Sequence, residues 1–327
     1  MKAAFYTRQG PAAEVLVIGE QPVPQPAAGE VRVRLRTSGV NPSDWKARKG
    51  GFGRAMATPL VIPHSDGAGV IDAVGGGVPV SRVGERVWIW NGQWNRACGT
   101  AAQYIALPSA QAVRMPDGLG DAEAACLGIP LFTAVEAVRR SEVEAGMTVL
   151  VAGGAGAVGH YAIQVAKARG ATVITTVSGD AKAAHARAAG ADHVFNYRSQ
   201  DVGAEVQRIT GGRGVDAVIE MDLPTNVALY AKALRPGGTV VTYGVSAQEA
   251  TLPVFWLMRN RVTLRFIYVY ELDDAERAAD LQEIERLLCS GRLVHTVALR
   301  LPLDQVARAH DAVEQGRVVG NVVLDID

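Results

Sequence analysis

Apolar residues follow two different patterns along the 327-residue chain. Up to about residue 120, short β-type runs are separated by proline and glycine clusters such as Gln21–Pro26 and Gly75–Gly77. This pattern is typical of a largely antiparallel β domain with irregular loops. Farther along, apolar strands alternate with segments of helical spacing, which predicts a doubly wound parallel sheet. The sequence therefore predicts an α/β protein with two domains.

The N-terminal segment Met1–Arg8 alternates like a strand, and further strands are predicted at Val15–Ile18, Val31–Thr37, Gly69–Val74, Arg86–Trp90 and Ala102–Leu107. Two predicted helices, Ala122–Leu127 and Phe132–Ser141, lead into the second region. Its predicted strands are Thr148–Val151, Ala171–Val177, Val194–Asn196, Ala217–Glu220, Val240–Tyr243 and Leu264–Ile267. Its predicted helices are Ala162–Ala168, Lys182–Ala189, Val202–Ile209, Val227–Leu234, Pro253–Met258 and Asp274–Leu288, and Pro236–Gly238 predicts a sharp stop before a strand.

The tail from Leu293 returns to shorter elements, with a predicted helix at Asp304–Glu314 and a predicted strand at Val322–Ile326. We expect this tail to rejoin the first domain, so that the second domain is an insertion. The predicted domains are therefore residues 1–120 with 295–327, and residues 121–294.

A glycine-rich turn, Gly153–Gly159, joins the strand Thr148–Val151 to a helix and then to a second strand. Strand, glycine turn, helix and strand form the βαβ unit that binds a dinucleotide pyrophosphate. We expect Gly154 to allow the tight turn, Gly156 to admit phosphate to bare N–H groups, and Gly159 to let the helix pack on its strand. A glycine-rich turn alone can be structural, but its flanking elements favour cofactor binding.

The end of the second strand indicates which nicotinamide cofactor is bound. NAD sites usually place Asp or Glu there to bind the ribose hydroxyls, whereas this chain has Ser178, followed by Lys182. A 2′-phosphate accepts hydrogen bonds from a hydroxyl and is attracted by an ammonium group. Asp180 weighs against this interpretation, and Lys182 alternatively serves only to solvate its helix. The pattern favours NADPH.

Charge and cysteine content exclude several classes of function. The 33 basic and 33 acidic residues balance, which gives no reason to expect nucleic acid or an anionic membrane surface as partner. No apolar run is long enough to cross a bilayer, and the N-terminal segment lacks the features of a signal peptide. The three cysteines are dispersed, which indicates a reducing cytoplasm and no disulfide framework.

The chain resembles the zinc-independent quinone oxidoreductases (zeta-crystallin-like) of the medium-chain dehydrogenase/reductase superfamily. The matching stretches keep the order and spacing of that family from the first domain to the tail. They are Gly39–Asp44, Asp66–Val70 with Ala73–Gly75, Gly84–Val87, Gly128–Ala134, the glycine turn, Phe195–Tyr197 and Gly237–Gly244.

This resemblance implies a GroES-like β domain and a Rossmann domain with the active site in the cleft between them. It also implies NADPH-dependent reduction of quinones or related conjugated carbonyls, in a homodimer or homotetramer. By position, the resemblance places the pyrophosphate on Ala155, Gly156, Ala157 and Val158, and the 2′-phosphate beside Ser178 and Lys182. It places Tyr197 beside the adenosine, and it has Tyr243, Gly244 and Val245 line the cofactor. The nicotinamide amide is then held by the backbone of Ile267, Tyr268 and Val269.

Two further features of the sequence concern the metal and the catalytic groups. Where zinc alcohol dehydrogenases of the superfamily have their first cysteine ligand, this chain has Asn41, and Ser65 takes the place of a histidine ligand, so no metal is expected. Tyrosines that the family often carries after Asn41 are replaced by Lys46 and Phe52. Candidates to face the nicotinamide and the substrate are Asn41, Thr133 and, more weakly, Lys46, although each can equally be structural.

Three functions fit these residues. The first is an NADPH-dependent quinone reductase, in which hydrogen-bond donors meet the negative charge that develops on a carbonyl oxygen. The second is a reductase of the carbon–carbon double bond in an alkenal, enone or thioester. The third is an NADPH-binding protein with a mainly structural or binding role.

Overall fold

A computed structural model describes residues 1–327, which divide into two units. The first unit is Met1–Pro130 with His295–Asp327, and the second unit is Leu131–Val294. The first unit runs through Pro130, whereas the sequence pattern placed its end near residue 120.

The first unit begins with β1 (Lys2–Phe5), α1 (Ala12–Val15), β2 (Val17–Glu20), β3 (Glu30–Val40), α2 (Pro42–Lys49), β4 (Asp66–Val74), β5 (Arg86–Ile89), β6 (Tyr104–Pro108), β7 (Ala112–Arg114) and α3 (Asp121–Ala124). The second unit contains α4 (Phe132–Arg140), β8 (Thr148–Val151), α5 (Ala157–Ala168), β9 (Thr172–Val177), α6 (Asp180–Ala188), β10 (His193–Asn196), α7 (Val202–Ile209), β11 (Val215–Glu220), α8 (Leu223–Ala233), β12 (Leu234–Thr242), α9 (Val254–Arg259), β13 (Thr263–Phe266) and α10 (Asp274–Cys289). The chain then completes the first unit with β14 (Val297–Pro302), α11 (Val306–Glu314) and β15 (Asn321–Asp325).

The first unit is organised around β3, the longest strand of a seven-stranded sheet in the order β14-β15-β3-β4-β5-β7, with β6 also paired to β3. The first half of β3 alternates, so that Val31, Val33 and Leu35 are buried while arginines between them face outward. Its second half is buried on both faces, and a Cβ at Gly39 would lie 2.1 Å from the Ala125 carbonyl oxygen. The strand therefore changes from a half-covered to a fully covered element along its length.

The second unit is built on a six-stranded sheet in the order β10-β9-β8-β11-β12-β13, and every pair in it is parallel. The central strands β8 and β11 are buried along their whole length, as their continuous apolar runs predict for a sheet covered by helices on both faces. The predicted α/β class, with a β domain and a doubly wound parallel sheet, is confirmed.

Two local predictions were wrong, and one helix was not predicted. Val15 ends a helical turn that starts after Pro11, so the strand predicted at Val15–Ile18 begins only at Val17. The polar helix α2 was not predicted, although Asn41 at its N-cap and Pro42 at its first position are helix-start signals. Pro236–Gly238 does not stop the chain before β12 but lies inside it, where the register with β11 shifts.

A buried charge cluster joins α4 and α10 in the second unit. Glu136 and Asp280 are both 0% exposed, and Asp280 Oδ1 accepts from Arg139 Nε at 2.8 Å. Glu136 accepts from Arg140 Nε at 2.7 Å and is also bonded to Arg139. Burial, and then the nearby Glu136 carboxylate, raise the pKa of Asp280 to about 7. Ionising Asp280 in the folded protein is therefore costly.

Replacing Asp280 with Asn is expected to make the unfolding free energy less dependent on pH. The folded-state pKa of Asp280 lies above its unfolded value of about 3.9, so the stability that its proton contributes is lost as the pH rises from about 4 to about 7. The difference in unfolding free energy, variant minus wild type, should grow by about 1–2 kcal/mol between pH 5 and pH 8. Scanning calorimetry at both pH values measures it.

The control is Glu285→Gln, which removes an exposed carboxylate from the same helix and should leave this difference unchanged. Equal pH profiles for wild type and Asp280→Asn would show that Asp280 is ionised in the folded protein near its ordinary pKa.

Candidate active site

The glycine-rich turn connects the carboxyl end of β8 to the first turn of α5. Gly156 is the N-cap of α5, and the first amides of the helix, on Ala157 and Val158, have no intrahelical partner. A Cβ at Gly156 would meet nothing closer than the Gly153 carbonyl oxygen at 3.4 Å, so the space in front of it is open. Bare amides at a helix N-terminus with no side chain before them can hold a phosphate group, and we call Gly156 with these two amides the phosphate cradle.

The tight turn is made by Gly153, which corrects the role predicted for Gly154. Gly153 has a φ of +67°, a left-handed conformation that glycine adopts without strain. Gly154 is required by packing instead, because its Cβ would lie 2.1 Å from Thr175 Oγ1. That hydroxyl donates to the Val151 carbonyl at 2.7 Å and so cannot move away without losing a bond to β8.

Gly159 has the packing role that the pattern predicted. A Cβ at Gly159 would lie 2.4 Å from the Gly153 carbonyl oxygen and 2.9 Å from Gly154 Cα. The first turn of α5 therefore contacts the turn backbone directly. Ala155, between these glycines, is 7% exposed.

The other predicted cofactor residues follow the carboxyl ends of neighbouring strands. Because the sheet is parallel, these ends lie along one edge, and the strand order reverses between β8 and β11. Open α/β sheets bind ligands at such a switch point. Ser178 and Lys182 follow β9, Tyr197 follows β10, Tyr243, Gly244 and Val245 follow β12, and Ile267, Tyr268 and Val269 follow β13.

Sequence reasoning missed the end of β11, which is the strand beside β8 in the sheet. Glu220 is 1% exposed there, and its carboxylate accepts from Tyr230 Oη at 2.7 Å and from Asn226 Nδ2 at 2.9 Å. Burial raises the pKa of Glu220, while the Asn226 hydrogen bond opposes that rise. Met221 comes next, and a Cβ at Gly153 would lie 2.2 Å from its sulfur. The available signal was a carboxylate ending an apolar strand, but the sequence does not give the strand order.

In the first unit, Asn41 lies between two buried carboxyl groups, and we call Asn41, Asp44 and Asp66 the acidic corner. The backbone N–H of Asn41 donates to Asp44 Oδ2 at 2.6 Å, and its Nδ2 donates to Asp66 Oδ2 at 2.8 Å. The same Asp66 oxygen accepts from the Ile129 N–H at 3.0 Å. Burial raises the pKa of Asp44 to about 7 and that of Asp66 well above its usual range. Asn41 itself is 3% exposed.

The other two predicted catalytic residues lie on different helices. Lys46 is on α2, and its Nζ is 5.9 Å from the ring centroid of Trp45 and 5.8 Å from that of Phe52. Thr133 is the second residue of α4, in the second unit, and is 5% exposed. The structure thus places Asn41 and Lys46 on one helix and its cap, whereas Thr133 belongs to the unit that carries the phosphate cradle.

Comparison with known proteins adds family matches for both units. Residues 27–117 match the alcohol dehydrogenase GroES-like domain, and residues 157–286 match the zinc-binding dehydrogenase family. A quinone oxidoreductase of Pongo abelii is 29% identical, over 92% of this chain and 91% of that protein. A 2-haloacrylate reductase of a Burkholderia species is 30% identical, over 99% of this chain and 98% of its own length.

Solved structures match over the whole chain. An NAD-dependent alcohol dehydrogenase is 32% identical, with a TM-score of 0.91 and 100% coverage of both chains. A mycobacterial protein solved in complex with NADPH is 30% identical, with a TM-score of 0.88, covering 99% of this chain and 100% of its own. These matches confirm the GroES-like and Rossmann architecture that the sequence resemblance implied.

Where zinc alcohol dehydrogenases have their metal ligands, the residues of this chain do not fit zinc, which takes thiolate, imidazole and carboxylate ligands in a tetrahedron. Asn41 presents an amide that donates to Asp66. His64 has both ring nitrogens engaged, Nδ1 with Ser38 Oγ at 2.8 Å and Nε2 with His310 Nε2 at 2.9 Å. No group of three or more His, Cys, Asp or Glu side chains is arranged to hold a metal ion.

Replacing Gly156 with Val is expected to weaken the binding of a nicotinamide dinucleotide, measured with NADPH, at least tenfold, about 1.4 kcal/mol, because the new side chain would occupy the open space in front of the helix amides. Fluorescence titration or calorimetry measures the dissociation constant, and circular dichroism checks the fold. Gly76→Ala is the control, since a Cβ at Gly76 meets only Ala28 at 3.9 Å, in the other unit. An unchanged dissociation constant in Gly156→Val would show that the dinucleotide does not bind at the phosphate cradle.

Proposed function

The chain belongs to the medium-chain dehydrogenase/reductase superfamily, and from that premise we propose that it is a quinone oxidoreductase, which transfers hydride from NADPH to a quinone or a related conjugated carbonyl. The observation that carries the proposal is the phosphate cradle at the switch point of the parallel sheet. The same chain has Asn41 and Ser65 at the two positions where zinc alcohol dehydrogenases have metal ligands. An electron-poor acceptor takes hydride without a Lewis acid, whereas oxidation of a simple alcohol is assisted by one.

We propose that the main chain makes most of the contacts with the cofactor. Bound NADPH supplies the hydride. The amides of Ala157 and Val158 would hold its pyrophosphate, and the backbone at Ile267–Val269 would hold the nicotinamide amide. Ser178 and Lys182 would meet the 2′-phosphate, with Tyr197 beside the adenosine. Tyr243 to Val245 would line the same edge.

On the substrate side, a negative charge develops on a carbonyl oxygen and needs donors already in place. Lys46 carries an ammonium group and Thr133 a hydroxyl, and both can donate. The Asn41 amide donates to Asp66, so we propose that it shapes the site from within the acidic corner. A quinone requires mainly that two planar rings be held together with water excluded, which positioning alone can supply.

The principal test is an NADPH-oxidation assay of the purified chain with simple quinones, with enones and with 2-haloacrylate. We expect the highest kcat/KM with a quinone. Preference for an enone or for 2-haloacrylate would favour double-bond reduction, the alternative that the Burkholderia relative supports. Tight NADPH binding without any turnover would favour a binding role. Elemental analysis of the active protein should find substoichiometric zinc, and activity that required stoichiometric zinc would contradict the proposal.

Cofactor preference is tested by Lys182→Ala. Loss of one charge-assisted contact to the 2′-phosphate should raise the KM for NADPH about tenfold, because such contacts contribute about 1.5–3 kcal/mol, and should leave the KM for NADH unchanged. Arg187→Ala removes an exposed cation from the same helix α6 and should change neither constant. If wild type uses NADH as well as NADPH, the Ser178 and Lys182 argument fails.

We further propose that two copies pair through the β13 edge of the second unit. Strand β13 is bonded only to β12, and four large apolar side chains are exposed on it and on α9. Exposed backbone groups and a contiguous apolar surface are features of an interface. The side chains are Val254 (67%), Phe255 (71%), Met258 (66%) and Phe266 (66%).

Light scattering coupled to size exclusion is expected to give a dimer or a tetramer for the wild type. The double variant Phe255→Glu, Met258→Glu should lower the oligomeric state, because charge at a buried interface is costly. Val80→Glu changes an exposed apolar side chain of the first unit and should have no effect. A wild-type monomer at micromolar concentration would exclude this interface.

A further inference from the structure

A continuous file of buried polar side chains crosses the first unit, from α2 and α11 to the start of β4. We call it the histidine file, and each of its members is 0% exposed. Arg48 Nε contacts His310 Nδ1 at 3.4 Å, and His310 Nε2 contacts His64 Nε2 at 2.9 Å. His64 Nδ1 then contacts Ser38 Oγ, and Ser38 Oγ contacts Thr100 Oγ1, both at 2.8 Å.

The two ends of the file decide where every hydrogen lies. Arg48 can only donate, so an N–H on His310 Nδ1 would face the Arg48 N–H, and the His310 hydrogen must be on Nε2. His64 Nε2 therefore accepts, and its hydrogen is on Nδ1. At the other end, Thr100 Oγ1 donates to the Asp66 carbonyl oxygen at 2.5 Å, and a carbonyl can only accept.

The directions agree from both ends. Ser38 accepts from His64 and donates to Thr100, which donates in turn to Asp66. The two histidines thus hold opposite tautomers, Nε2–H in His310 and Nδ1–H in His64. Neither a guanidinium nor a carbonyl gives up or takes a proton at neutral pH, so the file cannot conduct protons.

The charges and the backbone geometry of these residues support this assignment of hydrogens. Burial lowers the pKa of His64 to about 3, and burial, His64 and Arg48 lower that of His310, so both rings are neutral. The Arg48 charge is balanced by Glu314 at 2.6 Å. His64 has a φ of +78°, a left-handed conformation that is strained for a histidine. The strain is retained at a residue whose ring completes the file.

The file ends on the residue that holds Asn41. Thr100 fixes the Asp66 carbonyl, while the Asp66 carboxyl group accepts from Asn41 and from Ile129. We propose that His64 and His310 are positioning residues, which act through a one-way hydrogen-bonded file from Arg48 to Asp66 and so fix the acidic corner. The histidine tautomers do not depend on which substrate the protein reduces. Only the expected effect on turnover rests on the proposed function.

The tautomers can be observed directly by long-range ¹⁵N–¹H NMR of the protein labelled at its six histidines. At pH 7 we expect one ring with Nδ1 protonated and another with Nε2 protonated, both neutral and slow to exchange with water. The spectra of His64→Asn and His310→Gln assign them. Identical tautomers in the two rings, or a positive charge on either, would overturn the proposal.

The positioning role is tested by two variants of His310. Glutamine offers one acceptor and one donor, so it can accept from Arg48 and donate to His64, whereas leucine can do neither. Hydrogen exchange at the Ile129 amide should be at least tenfold faster in His310→Leu and close to wild type in His310→Gln. Peptides of the second unit should exchange alike in all three proteins.

In the NADPH assay, His310→Leu should lower kcat three- to tenfold with the KM for NADPH unchanged, and His310→Gln should restore kcat. Ser38→Ala, which breaks the file at its middle, should reproduce the exchange effect if His310→Leu does not fold. Equal exchange and kinetics for the Gln and Leu variants would show that the file does not position the acidic corner. A wild type without turnover would contradict the proposed function but leave the NMR and exchange tests intact.

Discussion

The contact between the first turn of α5 and the turn backbone is the constraint on which the second unit depends. At Gly159 and Gly153 the two segments are closer than any side chain would allow. Helix, turn and β8 therefore meet through main-chain atoms, and the helix N-terminus points at open space. Recognition of a phosphate by backbone amides needs this absence of side chains, because a single methyl group at the wrong glycine would separate either the helix or the ligand from the turn.

In the first unit, by contrast, the candidate site is formed by buried polar side chains and not by bare backbone. Asp66 is enclosed, and burial raises the pKa of its carboxyl group well above the usual range, because ionising a buried carboxyl group is costly. Its Oδ2 accepts from Asn41 and from Ile129. Only one of its two carboxyl oxygens is held in this way, because Oδ1 of Asp66 is buried without a hydrogen-bond partner.

Much of this architecture could be predicted from the sequence, because it depends on patterns among residues that are close together in the chain. Continuous apolar runs identified β8 and β11, and the short β-type run Val31–Thr37 identified most of β3. The glycine turn was found for the same reason, although Gly153 and not Gly154 takes the left-handed conformation. Gly154 is needed instead because of the position of Thr175 on the neighbouring strand, which the sequence does not show.

What the sequence did not reveal depends on contacts between distant residues. Glu220 gains its place from the strand order, and the pairing of His64 with His310 joins residues that are 246 positions apart. An isolated histidine in a loop carries no signal of such a partner. Helix α2 was missed because its residues are mainly polar, so hydrophobic periodicity, the strongest local signal, was absent.

The insertion of the second unit into the first has a consequence for biosynthesis. Strand β3 pairs with β15 through Thr37–Asp325, so the seven-stranded sheet needs residues from both ends of the chain. Leu131–Val294 is synthesised before β15. The inserted unit can thus begin to fold during translation, whereas the seven-stranded sheet is completed only once β15 has been made. Removal of β15 would therefore damage the first unit, although most of its strands precede the inserted unit.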